Sequence, residues 1–80
     1  MVDRVEHWFN RKYRDGRRDI YLDRTRTGWQ VVGRIGGADG THIIHDFGTE
    51  SDARTMLERM RESAPDGENG WALMPKPPKR

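Results

Sequence analysis

Three histidines and a scatter of carboxylates are the residues of this 80-residue chain that could do catalysis or hold a metal. His42 and His45 stand three residues apart in a segment with strand character, so their rings should point to opposite faces. No cysteine completes a ligand set. His45-Asp46 precedes Ser51, but this order alone does not define a catalytic triad. The sequence therefore predicts a non-catalytic protein with no metal site and no cofactor.

The basic residues have a clearer pattern than the histidines. The net charge is +2, yet residues 1–36 carry +4, residues 37–70 carry −5 and residues 71–80 carry +3. One group surrounds a predicted hairpin tip: Arg11, Lys12, Arg14, Arg17 and Arg18. Arg24 and Arg26 flank a second turn, and Arg34 lies in a later strand. Such a distribution serves solubility, or it contacts phosphates through the hairpin loops.

Length and composition restrict the class of protein. Eighty residues allow one domain. The absence of cysteine excludes a disulfide framework, and no apolar run approaches the ~20 residues that cross a membrane. The N-terminal residues lack a signal-peptide core, which predicts a cytoplasmic protein. We expect a domain over residues 1–74 and a flexible basic, proline-rich tail over 75–80.

The elements that must position these residues are mostly strands. Asp15-Gly16 is typical of a type I′ turn and predicts a hairpin of residues 5–13 and 18–24. Val5, Phe9 and Tyr13 also fit helical spacing, so a helix over residues 4–13 stays open. Further strands are predicted over 29–35 and 41–47, and Gly33 would permit a bulge or close packing.

One amphipathic helix follows the strands over residues 50–63. Thr49 fits its N-cap, and Pro65 ends it. Its apolar stripe consists of Ala53, Met56, Leu57, Met60 and Ala64. The predicted class is therefore α+β: a small antiparallel sheet of three to four strands, packed by one C-terminal helix. The order is β-β-β-β-α, with α-β-β-β-α as the alternative.

Alternation along the strands assigns side chains to two faces of the sheet. The face toward the helix should collect Ile20, Leu22, Trp29, Val31, Ile35, Ile43 and Phe47. The second face should collect Tyr21, Gln30, Val32, Arg34, His42 and Ile44, with Trp8 as a further candidate. Its apolar row, Tyr21, Val32 and Ile44, needs a cover. That cover is the segment 71–74 folding back, a protein interface, or nucleic-acid bases stacked on the aromatics.

A motif pattern connects this sheet with a known family. The run Thr27-Gly-Trp-Gln-Val-Val-Gly-Arg-Ile, then Asp39-Gly-Thr, then Asp46-Phe-Gly-Thr-Glu-Ser-Asp-Ala resembles the AP2-like arm-binding domain of phage-type integrases. The resemblance covers about residues 20–63. It implies a β-β-β-α fold whose sheet lies in a DNA major groove, with contacts from Gln30, Arg34, Arg24 and Arg26. A helical segment 4–13 would instead resemble a double-stranded-RNA-binding domain, but the basic run at the last helix is missing.

The first hypothesis is a domain that binds nucleic acid, most simply duplex DNA. Tyr21 and Gln30 would lie against the groove, and four arginines would hold phosphates: Arg18, Arg24, Arg26 and Arg34. The alternative is a small regulatory or adaptor protein that binds a protein partner or itself. It would use an exposed strand edge or the face with Trp8, Tyr21, Val32 and Ile44. Neither hypothesis involves a membrane or a small-molecule substrate.

Overall fold

The computed structural model describes residues 3–12, 16–36, 40–64, 67 and 69–75. The elements are β1 (Asp3–Asn10), β2 (Arg18–Arg24), β3 (Trp29–Ile35), β4 (Thr41–Phe47), α1 (Glu50–Glu62) and β5 (Ala72–Leu73). Five strands form one antiparallel sheet in the order β4-β3-β2-β1-β5, and α1 packs on one of its faces. The predicted α+β class is confirmed, with one strand more than the sequence indicated.

The first hairpin differs from the prediction in the length of its connection. β1 is a strand, so the helical alternative for residues 4–13 is wrong. The last pair of the ladder is Asn10 with Arg18, which leaves seven residues between them instead of the four between the predicted strands 5–13 and 18–24. Asn10 is fully buried, and its Oδ1 accepts the backbone N–H of Lys12 at 2.8 Å. Because the Asn10 side chain bonds the backbone two residues further on, β1 ends at Asn10 and not at residue 13 as predicted. Tyr13 and Asp15 lie outside the described residues.

An irregularity at Val5 decides which side chains of β1 face the helix. The register shifts between Arg4 and Glu6, as in a β-bulge, so Val5 packs against the core while Arg4 pairs with Asp23 on the other face. Beyond the bulge, Trp8 lies opposite Ile20 and also packs against the core. The prediction that Trp8 shares a face with Tyr21 is therefore wrong.

The core lies between α1 and the middle strands. Its buried residues are Ile20, Leu22, Val31, Ala53 and Leu57. Thr49 caps α1 as predicted, since its Oγ1 accepts the N–H of Asp52 at 3.2 Å. Gly33 permits close packing of the helix on β3, because a Cβ there would lie 2.7 Å from Cε of Met60. The alternation of the strands and the helical stripe together predicted this core.

The segment after the helix extends the sheet and does not cover its far face. β5 pairs with β1 through Trp8–Leu73 and Phe9–Ala72, and the N–H of Met74 donates to the carbonyl of His7 at 2.8 Å. Trp71 packs against the core on the helix side. Of the three covers considered for Tyr21, Val32 and Ile44, the one in which residues 71–74 fold back is excluded, because the segment satisfies the backbone groups at the edge of β1 instead. No helix within the described ranges is long and apolar enough to span a membrane.

Candidate functional site

The sheet face that points away from α1 carries most of the polar side chains of the strands. We call it the open face, and the strand registers place on it Arg4, His7, Phe9, Asp19, Tyr21, Asp23, Gln30, Val32, Arg34, His42, Ile44 and Asp46. The predicted members on β2, β3 and β4 therefore lie together as expected. Those on β1 could not be predicted, because the bulge at Val5 sets their parity.

Two aspartates of β2 are buried on the open face beneath arginines. Asp23 is 3% exposed, and its carboxylate accepts Nε of Arg4 at 3.0 Å. Asp19 is 4% exposed; it accepts Nε of Arg17 at 2.9 Å and lies 3.2 Å from Nε2 of His7. A buried carboxylate is tolerated only when it is paired and hydrogen-bonded. The two aspartates thus fix two arginines and neutralise part of their charge.

Tyr21 lies at the centre of the open face under these side chains. It is 7% exposed. The guanidinium of Arg4 stands 3.8 Å from its ring centroid, and the His7 ring lies 4.5 Å away, centroid to centroid. Nη1 of Arg34 donates to its hydroxyl at 3.4 Å. A nucleic-acid base could stack on Tyr21 only by displacing Arg4, so Tyr21 supports the arginines instead of offering a free ring.

The predicted apolar row is mostly covered by the chain itself. Val32 is buried beside Tyr21, and Ile44, on edge strand β4, is 56% exposed. Gln30 is half-buried. The row that the sequence indicated as needing a cover therefore reduces to one exposed isoleucine at the edge of the sheet.

One end of the sheet concentrates cations. We call it the basic end, and it comprises Arg11, Lys12, Arg17, Arg18 and Arg34. Arg18 pairs with Ile35, and Arg34 with Asp19, so both arginines lie at this end, Arg18 on the helix side and Arg34 on the open face. The guanidinium carbons of Arg11 and Arg17 lie 5.5 and 5.2 Å from the ring of Phe9. Among the described residues 10–12, 16–19, 34–36 and 40, which form this end of the sheet, Asp19 is the one carboxylate.

The other predicted arginines lie at the opposite end. β2 spans seven residues, so Arg24 is roughly 20 Å from Arg18. Arg24 and Arg26 are exposed there, with Asp3 directly opposite Arg24. The first turn of α1, with Glu50 and Asp52, begins at this same end. The predicted phosphate contacts are thus divided between two ends of the sheet, of which one is mixed in charge.

A separate polar network ties α1 to β1 on the helix side. Arg54 bonds Glu6 at 2.8 Å and Glu50 at 2.7 Å, and Nε1 of Trp8 donates to Glu6 at 2.9 Å. Burial opposes ionisation of Glu6, but the bonds from Arg54 and Trp8 outweigh it and lower the pKa of Glu6 below its ordinary value. The bond with Glu6 raises the pKa of Arg54. The Glu50–Arg54 pair has the i, i+4 spacing that a helix brings together, whereas the Glu6–Arg54 pair joins residues 48 apart and has no local signal in the sequence.

Neither a large pocket nor a metal cluster accompanies the basic end in the described part of the chain. A cavity of about 130 Å³ lies between the C-terminal turn of α1 and the sheet, lined by Arg18, Ile35, Ile43, Met60 and Trp71 among others. Pockets for small molecules usually measure about 300–1,000 Å³. No group of three or more potential metal ligands occurs among the described residues.

Comparison with known proteins adds no relative: no family model, no curated protein and no solved structure matches the chain. The resemblance to the arm-binding domain of integrases therefore stays a prediction, and the arguments about function rest on the geometry of the sheet.

Proposed function

We propose that the protein is a non-catalytic nucleic-acid-binding domain that holds the phosphates of duplex DNA at its basic end. The observation that carries this proposal is that five cations lie at a single end of the sheet, where Asp19 is the one carboxylate among the described residues 10–12, 16–19, 34–36 and 40. The proposal includes the cytoplasmic location predicted from the sequence. In this proposal the main phosphate contacts come neither from Tyr21 nor from Arg24 and Arg26 at the opposite end of the sheet.

The exposed members of the basic end supply the attraction. Arg11 and Lys12 are exposed immediately after β1, where long cationic side chains can follow a phosphate backbone. Each neutralised phosphate releases condensed counterions, so affinity falls as salt rises. About three contacts would reduce affinity roughly 40-fold between about 50 and 200 mM salt, with non-specific dissociation constants of about 10⁻⁴ to 10⁻⁶ M.

The buried part of the open face supports these contacts. The Tyr21 hydroxyl accepts a hydrogen bond from Arg34 at 3.4 Å, and a side chain held in this way loses less conformational entropy when a ligand binds. Asp19, by contrast, pairs with Arg17 at 2.9 Å and neutralises part of its charge. Because phosphate contacts carry no sequence information directly, the proposal predicts little preference among duplex sequences.

The experiment compares two double variants that remove the same charge. Arg11→Ala with Lys12→Ala removes two exposed cations from the basic end, and Arg24→Ala with Arg26→Ala removes two exposed cations from the other end. Binding to a labelled duplex is followed by fluorescence anisotropy at several salt concentrations. We expect the first pair to lose at least tenfold in affinity and about two units of salt slope, and the second pair to bind almost like the wild type.

Two results would overturn the proposal. One is the absence of binding by the folded wild type at low salt. The other is an equal or larger loss in the Arg24 and Arg26 variant, which would move the contacts to the end implied by the integrase resemblance. Circular dichroism of each variant shows that the fold is retained.

A further inference from the structure

The two edge strands of the sheet, β4 and β5, differ in how well they are protected against pairing with a further strand. β5 is only two residues long, and Pro75 follows directly after Met74. β4 is seven residues long, contains neither proline nor lysine, and has Asp46 as its one acidic or basic residue apart from histidine. In the described part of the chain β4 pairs with β3 alone. Long unprotected edges are templates for another strand.

The side chains beside this edge are apolar on both faces. Ile44 on the open face is 56% exposed, and Ile43 on the helix side is 42% exposed. Among the residues that the structure describes, they are two of the three exposed large hydrophobic residues, and the third, Leu73, lies on β5. A strand added to this edge would form backbone hydrogen bonds with β4 and would also bury apolar surface, because an isoleucine lies on each face.

We propose that β4 pairs antiparallel with β4 of a second copy of this chain. The register that overlaps all seven residues is centred on Ile44, which then lies opposite Ile44 of the second copy. In that register His42 lies opposite Asp46 of the second copy, and the same pair forms twice because the interface is two-fold. A ring N–H of His42 can donate to that carboxylate. In this register an apolar side chain faces an apolar one at the centre, and each histidine at position 42 faces an acidic side chain.

The chemistry of β4 favours a second copy over an unrelated partner. Thr41 meets Phe47, and Ile43 meets His45, on the helix side of the same register, so no like charges stand opposite each other across the seven pairs. The two sheets become one ten-stranded sheet, with both open faces on the same side. Edge pairing buries less surface than a standard interface, so we expect a reversible dimer that dissociates at micromolar concentrations.

The test is the mass of the protein in solution over a range of concentrations, by sedimentation equilibrium in the absence of DNA. The wild type should pass from monomer to dimer as concentration rises. Ile44→Lys places two cations against each other at the two-fold axis and should keep the chain monomeric. Leu73→Lys makes the same change at a 50% exposed leucine of the other edge strand and should leave dimerisation unchanged.

Exchanging the residues at positions 42 and 46 tests the proposed register of the two β4 strands. His42→Asp alone sets carboxylates against each other and should weaken the dimer at least tenfold, while His42→Asp with Asp46→His restores it. The proposal is overturned if the wild type stays monomeric at every concentration, if Ile44→Lys dimerises like the wild type, or if Leu73→Lys is the variant that abolishes the dimer. None of these outcomes depends on DNA binding, because the assay contains no DNA.

Discussion

Replacement of Asp19 by asparagine should weaken the fold and strengthen DNA binding in the same molecule. Asp19 is 4% exposed and accepts Arg17 at 2.9 Å, with His7 at 3.2 Å. An amide oxygen carries no net charge, so it accepts a weaker bond from the Arg17 guanidinium than a carboxylate does. A hydrogen bond to a charged partner contributes about 1.5–3 kcal/mol, and Arg17 can rehydrate because its side chain is 36% exposed.

We therefore expect Asp19→Asn to lower the free energy of unfolding by about 2 kcal/mol. For a domain of this size that corresponds to a fall of about 8–16 °C in Tm. The same change frees Arg17 from its counter-charge at the basic end. Binding to duplex DNA should become severalfold tighter, and its salt slope should steepen by about 0.9. Urea unfolding and fluorescence anisotropy measure the two quantities on one preparation.

Asp23→Asn is the matched control. Asp23 is equally buried and holds Arg4 at 3.0 Å, but it lies toward the other end of β2. It should lose similar stability and gain no affinity for DNA. The reasoning is refuted if folded Asp19→Asn binds DNA no better than the wild type, or if Asp23→Asn gains as much affinity as Asp19→Asn.

Three further predictions concern the fold. Leu57→Ala empties a fully buried site under the sheet and should cost about 3 kcal/mol by urea unfolding; a loss below about 1 kcal/mol would contradict the assigned core. Thr49→Ala removes the cap of α1 and should cost about 1 kcal/mol, whereas Thr55→Ala on the exposed helix surface should cost less. The pKa of Glu6 is lower in the folded chain than its ordinary value of 4.5, so its contribution is present above that value and is lost as pH falls through the lowered value. Glu6→Gln should therefore be less stable than the wild type at pH 7, and the two should converge in strong acid; a gap independent of pH would contradict this linkage.

The bounds of β3, β4 and α1 could be predicted from patterns of neighbouring residues in the sequence. β3 and β4 have the predicted bounds, and α1 differs from its prediction by one residue at the C-terminus. Alternation of apolar residues and the cap at Thr49 determine these elements. The same alternation assigned Tyr21, Val32 and Arg34 to one face, because β2 and β3 have regular registers.

The remaining features depend on contacts between distant residues. The bulge at Val5 shifts the parity of β1, which places Arg4 over Tyr21 and turns Trp8 to the helix. Nothing in the local pattern of residues 3–10 signals that shift. The pairing of β5 with β1 likewise joins residues more than 60 positions apart. Burial of Asp19 and Asp23 follows from these tertiary contacts and not from strand propensity, which is low for aspartate.

Amide chemical-shift mapping of the wild type with a short DNA duplex tests the central claim most directly, because it reports which residues the DNA approaches. We predict that the shifts concentrate at residues 9–12, 16–19 and 34–36, weaken with added salt, and leave residues 24–28 nearly unchanged. Shifts concentrated at residues 24–28, or no shifts at low salt, would contradict the account of the basic end as the DNA-binding site.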